Sequence, residues 1–136
     1  MVTEHSAGAI LYNENIQKFL LLKRNSDSFW EFPKGHVEED EEIHETLRRE
    51  IEEETGIKSI EIGKKVGDLV FTIDKGDLIK KRIIHYFLVR TVEESIRLSE
   101  EHSESIWLDH EDVIGHLHYD DIKELFKKIR LKIGSC

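Results

Sequence analysis

Cysteine is nearly absent from this 136-residue chain: Cys136 alone occurs, three residues beyond the last apolar position, so no disulfide framework can form within the chain. Proline is as scarce, with Pro33 alone. No low-complexity linker or internal repeat accompanies it, and a single domain over residues 1–136 is expected. Long apolar runs are missing too. The longest, FLLL at 19–22 and AGAIL at 7–11, fall far short of the roughly 20 residues that span a bilayer, so no membrane partner is expected. The opening MVTEHS has no basic stretch followed by an apolar core, which gives no signal peptide and makes a cytoplasmic enzyme or binding domain the default expectation. Excess positive charge is also lacking. A formal net charge of -9 with no broad basic surface disfavours nucleic-acid binding as the main role.

What is present is a globular composition, 38% hydrophobic and 36% charged, in a chain long enough to bury roughly two thirds of its unfolded surface without staples. AGAILYN (7–13) and KFLLLKR (18–24) read as strands around the turn ENIQ, the second apolar on both faces and so central in a sheet. FWEFP (29–33) suits a short edge strand or the extended start of a loop. GDLVFTI (67–73) and KRIIHYFLVR (81–90) flank the hairpin turn DKGD, and SIWLD (105–109) is a last short strand. Apolar spacing predicts a helix over 41–55 closed by Gly56 as a left-handed cap, a short helix capped by Asp109, and an amphipathic helix from Asp120 to Lys132. The pattern is α+β or mixed α/β, with helices on the faces of a mixed sheet.

Charge is distributed unevenly. Residues 35–57 hold ten carboxylates against two arginines, a formal -8 in 23 residues. Within the predicted helix Glu50, Glu53 and Glu54 have i, i+3, i+4 spacing and share a face. Carboxylates so placed repel one another, and the last two lie near the helix C-terminus, where the macrodipole also disfavours them. A hard divalent cation, Mg²⁺ or Mn²⁺, would offset the repulsion. A solvated glutamate-rich face is the alternative that spacing alone leaves open.

The full stretch GHVEEDEEIHETLRREIEEETGI resembles the Nudix box, G-x(5)-E-x(7)-R-E-U-x-E-E-x-G-U with U a bulky apolar residue, and matches it at Gly35, Glu41, Arg49, Glu50, Ile51, Glu53, Glu54, Gly56 and Ile57. The resemblance implies an α/β/α sandwich and a hydrolase of nucleoside diphosphates linked to another group, working with Mg²⁺ or Mn²⁺. By the same resemblance Glu50, Glu53 and Glu54 would bind the metal and Arg49 would orient a glutamate. Glu41 would support the ligands or touch a metal occasionally, while Gly35 and Gly56 would shape the loop and the helix end. The family's usual glycine before the first box glutamate is replaced here by Glu39 and Asp40, so a loop without its usual left-handed residue is expected.

Flanking residues bear on substrate. WEFPKGHVE (30–38) and EEHSESIWL (100–108) resemble segments of asymmetrical diadenosine tetraphosphate hydrolases. That likeness implies Glu101 as an extra carboxylate serving as metal ligand or general base, with Glu104 as its competitor. It also implies a nucleotide partner, with Lys34 placed to meet a phosphate and Tyr86 as a ring that stacks on adenine; Lys81 in the basic run 80–82 and His36 near the inferred site are further candidates for phosphate contact. Simpler readings stand beside these: a surface lysine for Lys34, a sheet-core ring for Tyr86, a solubilising hairpin end for 80–82. Nucleoside triphosphates, diphosphoinositol polyphosphates and capped RNA ends are the alternative substrates, a nucleotide-sensing module without turnover is the alternative of another class, and oligomeric state is unmarked.

Overall fold

A computed structural model describes residues 2–129. Its elements run β1 (Val2–Asn13), β2 (Lys18–Arg24), β3 (Trp30–Glu31), β4 (Lys34–His36), α1 (Ile43–Thr55), β5 (Glu61–Asp74), β6 (Ile79–Thr91), β7 (His102–Leu108), α2 (His110–His116) and α3 (Asp120–Lys127). Cys136 and the expected end of the last helix at Lys132 lie outside the described residues; within them α3 stops at Lys127.

All seven strands join one mixed sheet. β1 and β6 run parallel from Val2↔Lys80 to Asn13↔Thr91, and β5 is antiparallel to β6. Alternation along the central strands splits the apolar residues between two cores. Ile10, Tyr12, Phe19, Leu21, Ile84, Tyr86 and Leu88 meet α2 and α3 through Val113, Ile122, Leu125 and Phe126. Ala7, Ala9, Leu11, Leu20, Leu22, Phe87 and Val89 meet Leu47 and Ile51 of α1. This is the expected α/β/α sandwich, and it explains why AGAIL and FLLL read as unbroken apolar runs: both faces are covered. β1 and β5 begin earlier than apolar patterning predicts, at Val2 and Glu61, because long ladders to β6 give their polar residues backbone partners.

One departure from a simple hairpin positions the site. β1 and β2 pair only at Tyr12↔Phe19 and Asn13↔Lys18 and then diverge. The segment 30–36 enters the gap, β3 pairing with β2 at Leu22↔Glu31 and β4 with β1 at Gly8↔Lys34. Between them the Pro33 carbonyl accepts from the Ala9 N–H at 2.8 Å, so a residue without an N–H of its own fits here.

Candidate active site

α1 carries the acidic triplet, and its C-terminal end is closed as the sequence suggests. Gly56 adopts φ 79°, and its N–H reaches the Glu52 carbonyl at 2.9 Å, a left-handed cap. At the other end Asp40 adopts φ 66°. The expectation of a loop without a left-handed residue is therefore corrected: the turn is kept, and aspartate, short and polar, tolerates that conformation.

Arg49 organises the acidic face. Its Nε and Nη2 donate to Glu41 Oε2 and Oε1 at 2.7 and 3.0 Å, Nη2 also donates to the His36 carbonyl at 2.9 Å, and Nη1 reaches Glu50 Oε1 at 3.2 Å and Glu53 Oε2 at 3.4 Å. Glu41 accepts further from the Thr46 hydroxyl at 2.7 Å and the Glu38 N–H at 3.0 Å. Arg49 and these donors hold the Glu41 carboxyl down at about 2. Its oxygens are committed to tying the loop to the helix.

Glu54 is buried, 4% exposed, and its Oε1 accepts the Lys34 N–H at 3.2 Å. Burial first, then the negative charges of Glu50, Glu31 and Glu101, push its carboxyl up to about 8. Glu50 is also raised, by burial and by Glu53 and Glu101 against the opposing pull of Arg49. Gly35 lies against Glu50: a Cβ there would stand 2.0 Å from the Glu50 carboxyl carbon and 2.2 Å from each oxygen, so a glycine lets the strand and the carboxylate come together.

These side chains open on a cavity of about 580 Å³ lined in part by the segment 29–36 that enters between β1 and β2. Lys34, Gly35, His36, Glu50, Glu54 and Glu101 line its acidic end. The exposed Glu53 stands outside the lining but remains within reach of Arg49. Glu104 is turned to Lys23, with its carboxylate 3.1 Å from the ammonium, and does not line the cavity.

Two substrate-contact expectations are corrected. Lys81 does not line the cavity, whereas Arg82, Ile84 and Tyr86 do. Side chains alternate along β6, so Arg82 and not Lys81 shares Tyr86's face, and its guanidinium is 3.2 Å from Glu4. Tyr86 is a wall of the cavity and not an open stacking surface: it is 4% exposed, packed on Phe32, with its ring where a Cβ on Gly8 would stand. Burial raises its hydroxyl above the usual range.

Sequence reasoning missed an aromatic rim and two charged groups. Phe29 stacks on His118 with ring centroids 3.8 Å apart, Tyr119 meets Phe29 edge-on, and all three line the cavity. Arg24 lies over Phe29, its guanidinium carbon 5.6 Å from the ring. Glu31 lines the same cavity, its Oε1 3.5 Å from both Arg24 and Lys34. Arg82 belongs to the basic run 80–82, and the face of the sheet that holds the cavity selects it over Lys81. Nothing local marks Phe29, Glu31, His118 or Tyr119, which are brought together from separate loops and the short β3.

The donor set consists of hard carboxylate oxygens, and a divalent cation would offset both the burial that chiefly raises Glu54 and Glu50 and the weaker repulsion from their acidic neighbours. Among the described residues no three carboxylate, imidazole or thiol groups converge tightly enough to enclose an ion. The fit to Mg²⁺ or Mn²⁺ rests on the chemistry of the carboxylate donors and on no preformed cage. No helix among the described residues is long and apolar enough to cross a membrane.

Known proteins resemble this chain in sequence and fold. The RNA pyrophosphohydrolase of Pelagibacter ubique is 31% identical, with 92% of each chain covered. The asymmetrical bis(5'-nucleosyl)-tetraphosphatase of Rattus norvegicus is 31% identical over 82% of this chain and 76% of its own. In structure, the MutT protein of Methanosarcina mazei Go1 superposes with a TM-score of 0.78 at 30% identity, covering 93% of this chain and 92% of its own. Other curated relatives are longer, and the chain spans only 44% and 12% of two of them. The NUDIX domain model matches residues 3–129, which include the whole acidic helix and every strand around the cavity, and the chain belongs to the NUDIX domain family.

Proposed function

We propose that this chain is a metal-dependent pyrophosphohydrolase that cleaves diadenosine tetraphosphate asymmetrically, by attack of water at phosphorus, to ATP and AMP. The observation that carries the reading is one cavity with anionic, cationic and aromatic parts: Glu50, Glu54 and Glu101 at one end, Lys34, Arg24 and Arg82 along the walls, and Phe29, His118 and Tyr119 at the rim. Similarity to the rat tetraphosphatase supports the choice of substrate. Glu50, Glu53, Glu54 and Glu101 would hold Mg²⁺ or Mn²⁺, which when bound polarises phosphoryl oxygens and lowers the pKa of water. The residues themselves do the positioning. Arg49 holds Glu50 and Glu53 from one side, Gly35 allows Glu50 to lie against β4, and the Lys34 ammonium meets phosphate oxygens as a point charge. Glu101 takes the proton of the attacking water or joins the ligands. Arg82 receives the far phosphates, and the aromatic rim offers π-faces to a base.

A second reading, removal of pyrophosphate from an RNA 5' end, is favoured by the match to the Pelagibacter ubique enzyme over 92% of both chains. A panel of diadenosine tetraphosphate, nucleoside triphosphates and 5'-triphosphorylated RNA, turned over with Mg²⁺ and resolved by product, tests the proposal. The dinucleotide should give equal ATP and AMP at the highest kcat/KM; faster turnover of a triphosphate or of RNA would overturn it.

A further inference from the structure

Behind the cavity lies a buried pair that the proposed reaction leaves without a part. The His102 side chain is 1% exposed, and its Nε2 is 2.9 Å from Glu31 Oε2. A carboxylate only accepts, so the imidazole proton that makes this bond is on Nε2. Nδ1 is buried without a hydrogen-bond partner. A buried imidazole with one nitrogen committed and the other unmatched is expensive to keep for packing alone, since an apolar side chain would fill the space without an orphaned polar atom.

Its position suggests its use. Glu31, Glu101 and Arg24 line both the main cavity and a smaller hollow on its far side, whereas His102 lines only the hollow. His102 therefore touches the wall from behind. It also directly follows Glu101 in the chain. Two more bonds hold the same loop from the β2 side: the Asn25 N–H donates to the Glu101 carbonyl at 2.9 Å, and the Asn25 side-chain amide donates to the Glu100 carbonyl. Glu31 in turn sits on β3, three residues before Lys34, and its other oxygen faces Lys34 and Arg24.

We propose that the His102–Glu31 pair is a positioning device that holds Glu101 at the cavity wall in register with β3 and β4, so that Glu101 faces the space between Lys34 and Glu54. His102 is a positioning residue and touches no substrate. Glu101 sits on an exposed loop, and the side chain next to it is the deeply buried anchor that fixes its backbone. Displacing a reacting group by about 1 Å is enough to cost about a hundredfold in rate.

The inference rests on the role given to Glu101 above, and the experiment separates the two. His102→Ala, Glu101→Gln and the double variant are compared for kcat and KM, and amide hydrogen exchange is followed in the metal-free protein. In H102A the Asn25 amide should exchange about tenfold faster, the factor set by loss of one ordinary hydrogen bond, while amides of α1 keep their protection and report an intact fold. Its kcat should fall about tenfold to a hundredfold with KM within about threefold. In the E101Q background H102A should cause no further fall, because a residue acting through Glu101 has nothing left to position. His102→Gln, whose amide can still donate toward Glu31, should recover most of the lost kcat, and His102→Leu, which fills the space but cannot donate, carries the same cycle if H102A does not fold. An equal further loss in the double variant, or wild-type kcat and Asn25 exchange in H102A, would overturn the positioning role. Wild-type kcat in E101Q would overturn the reading of Glu101 itself.

Discussion

Alanine at Gly35 should disable the site while sparing the fold. Gly35 does not adopt a left-handed backbone, so the change adds no dihedral strain, and the sole difficulty is the new methyl. It would stand 2.0 Å from the Glu50 carboxyl carbon, where ordinary contact begins at 3.4 Å, so the carboxylate must withdraw by about 1.4 Å. The atoms that must move are the end of a flexible side chain, which keeps the stability cost to about 1 kcal/mol and the fall in Tm to a few degrees. Withdrawal breaks the 3.2 Å bond between Glu50 Oε1 and Arg49 Nη1 and takes the carboxylate off the cavity wall. A displacement of this size in a group that positions the reactants should lower kcat about a hundredfold. Calorimetric titration with Mn²⁺ should show weakened binding in the same variant. Gly115→Ala is the control: no atom beyond its chain neighbours and its own helix backbone lies within 4 Å of its added Cβ, and in a helix alanine should match or slightly exceed wild-type stability with full activity. Gly35→Ala with wild-type kcat and Mn²⁺ affinity would refute the placement of Glu50. Unfolding of the variant would refute the claim that Glu50 can yield.

Three other changes probe the charges. Glu54 ionises freely in the unfolded chain above its ordinary 4.5 but only near about 8 in the fold, so the metal-free protein should lose stability as pH rises across that window. Each tenfold difference in proton affinity between the folded and unfolded chain is worth about 1.4 kcal/mol, so the whole window amounts to a few kcal/mol. Glu41 is ionised in the fold throughout and adds only a small opposing rise near pH 5, where the unfolded chain finishes ionising. Thermal midpoints in EDTA from pH 5 to 8.5 should fall, Glu54→Gln should flatten the trend, and a flat wild-type profile would contradict it. Arg82→Ala should raise KM about tenfold, as loss of one charge-assisted phosphate contact does, while Lys81→Ala on the opposite face leaves KM unchanged; steady-state kinetics showing the reverse would reassign the face. Arg49→Lys keeps the charge but loses the two-pronged grip on Glu41, so kcat should fall at least about tenfold and the midpoint by several degrees, measured by kinetics and calorimetry.

The sequence by itself determined the acidic helix, its left-handed cap at Gly56 and the membership that nine spaced positions implied. The two-sided strands behind the sandwich were legible too. These are local patterns: a 3.6-residue period, a cap and apolar runs covered on both faces leave marks within a few residues. Only the tertiary structure decided what those marks surround. The divergence of β1 and β2 that admits residues 30–36, the burial of Tyr86, and the meeting of Glu31 with His102 are pairings between distant segments, and no local spacing records them. Lys81 and Arg82 differ by one step on a strand, and which of them meets the cavity depends on which face of the sheet holds it. The same holds for Asp40: aspartate tolerates a left-handed turn, but that it takes one beside the Arg49–Glu41 contact is seen only in the folded loop.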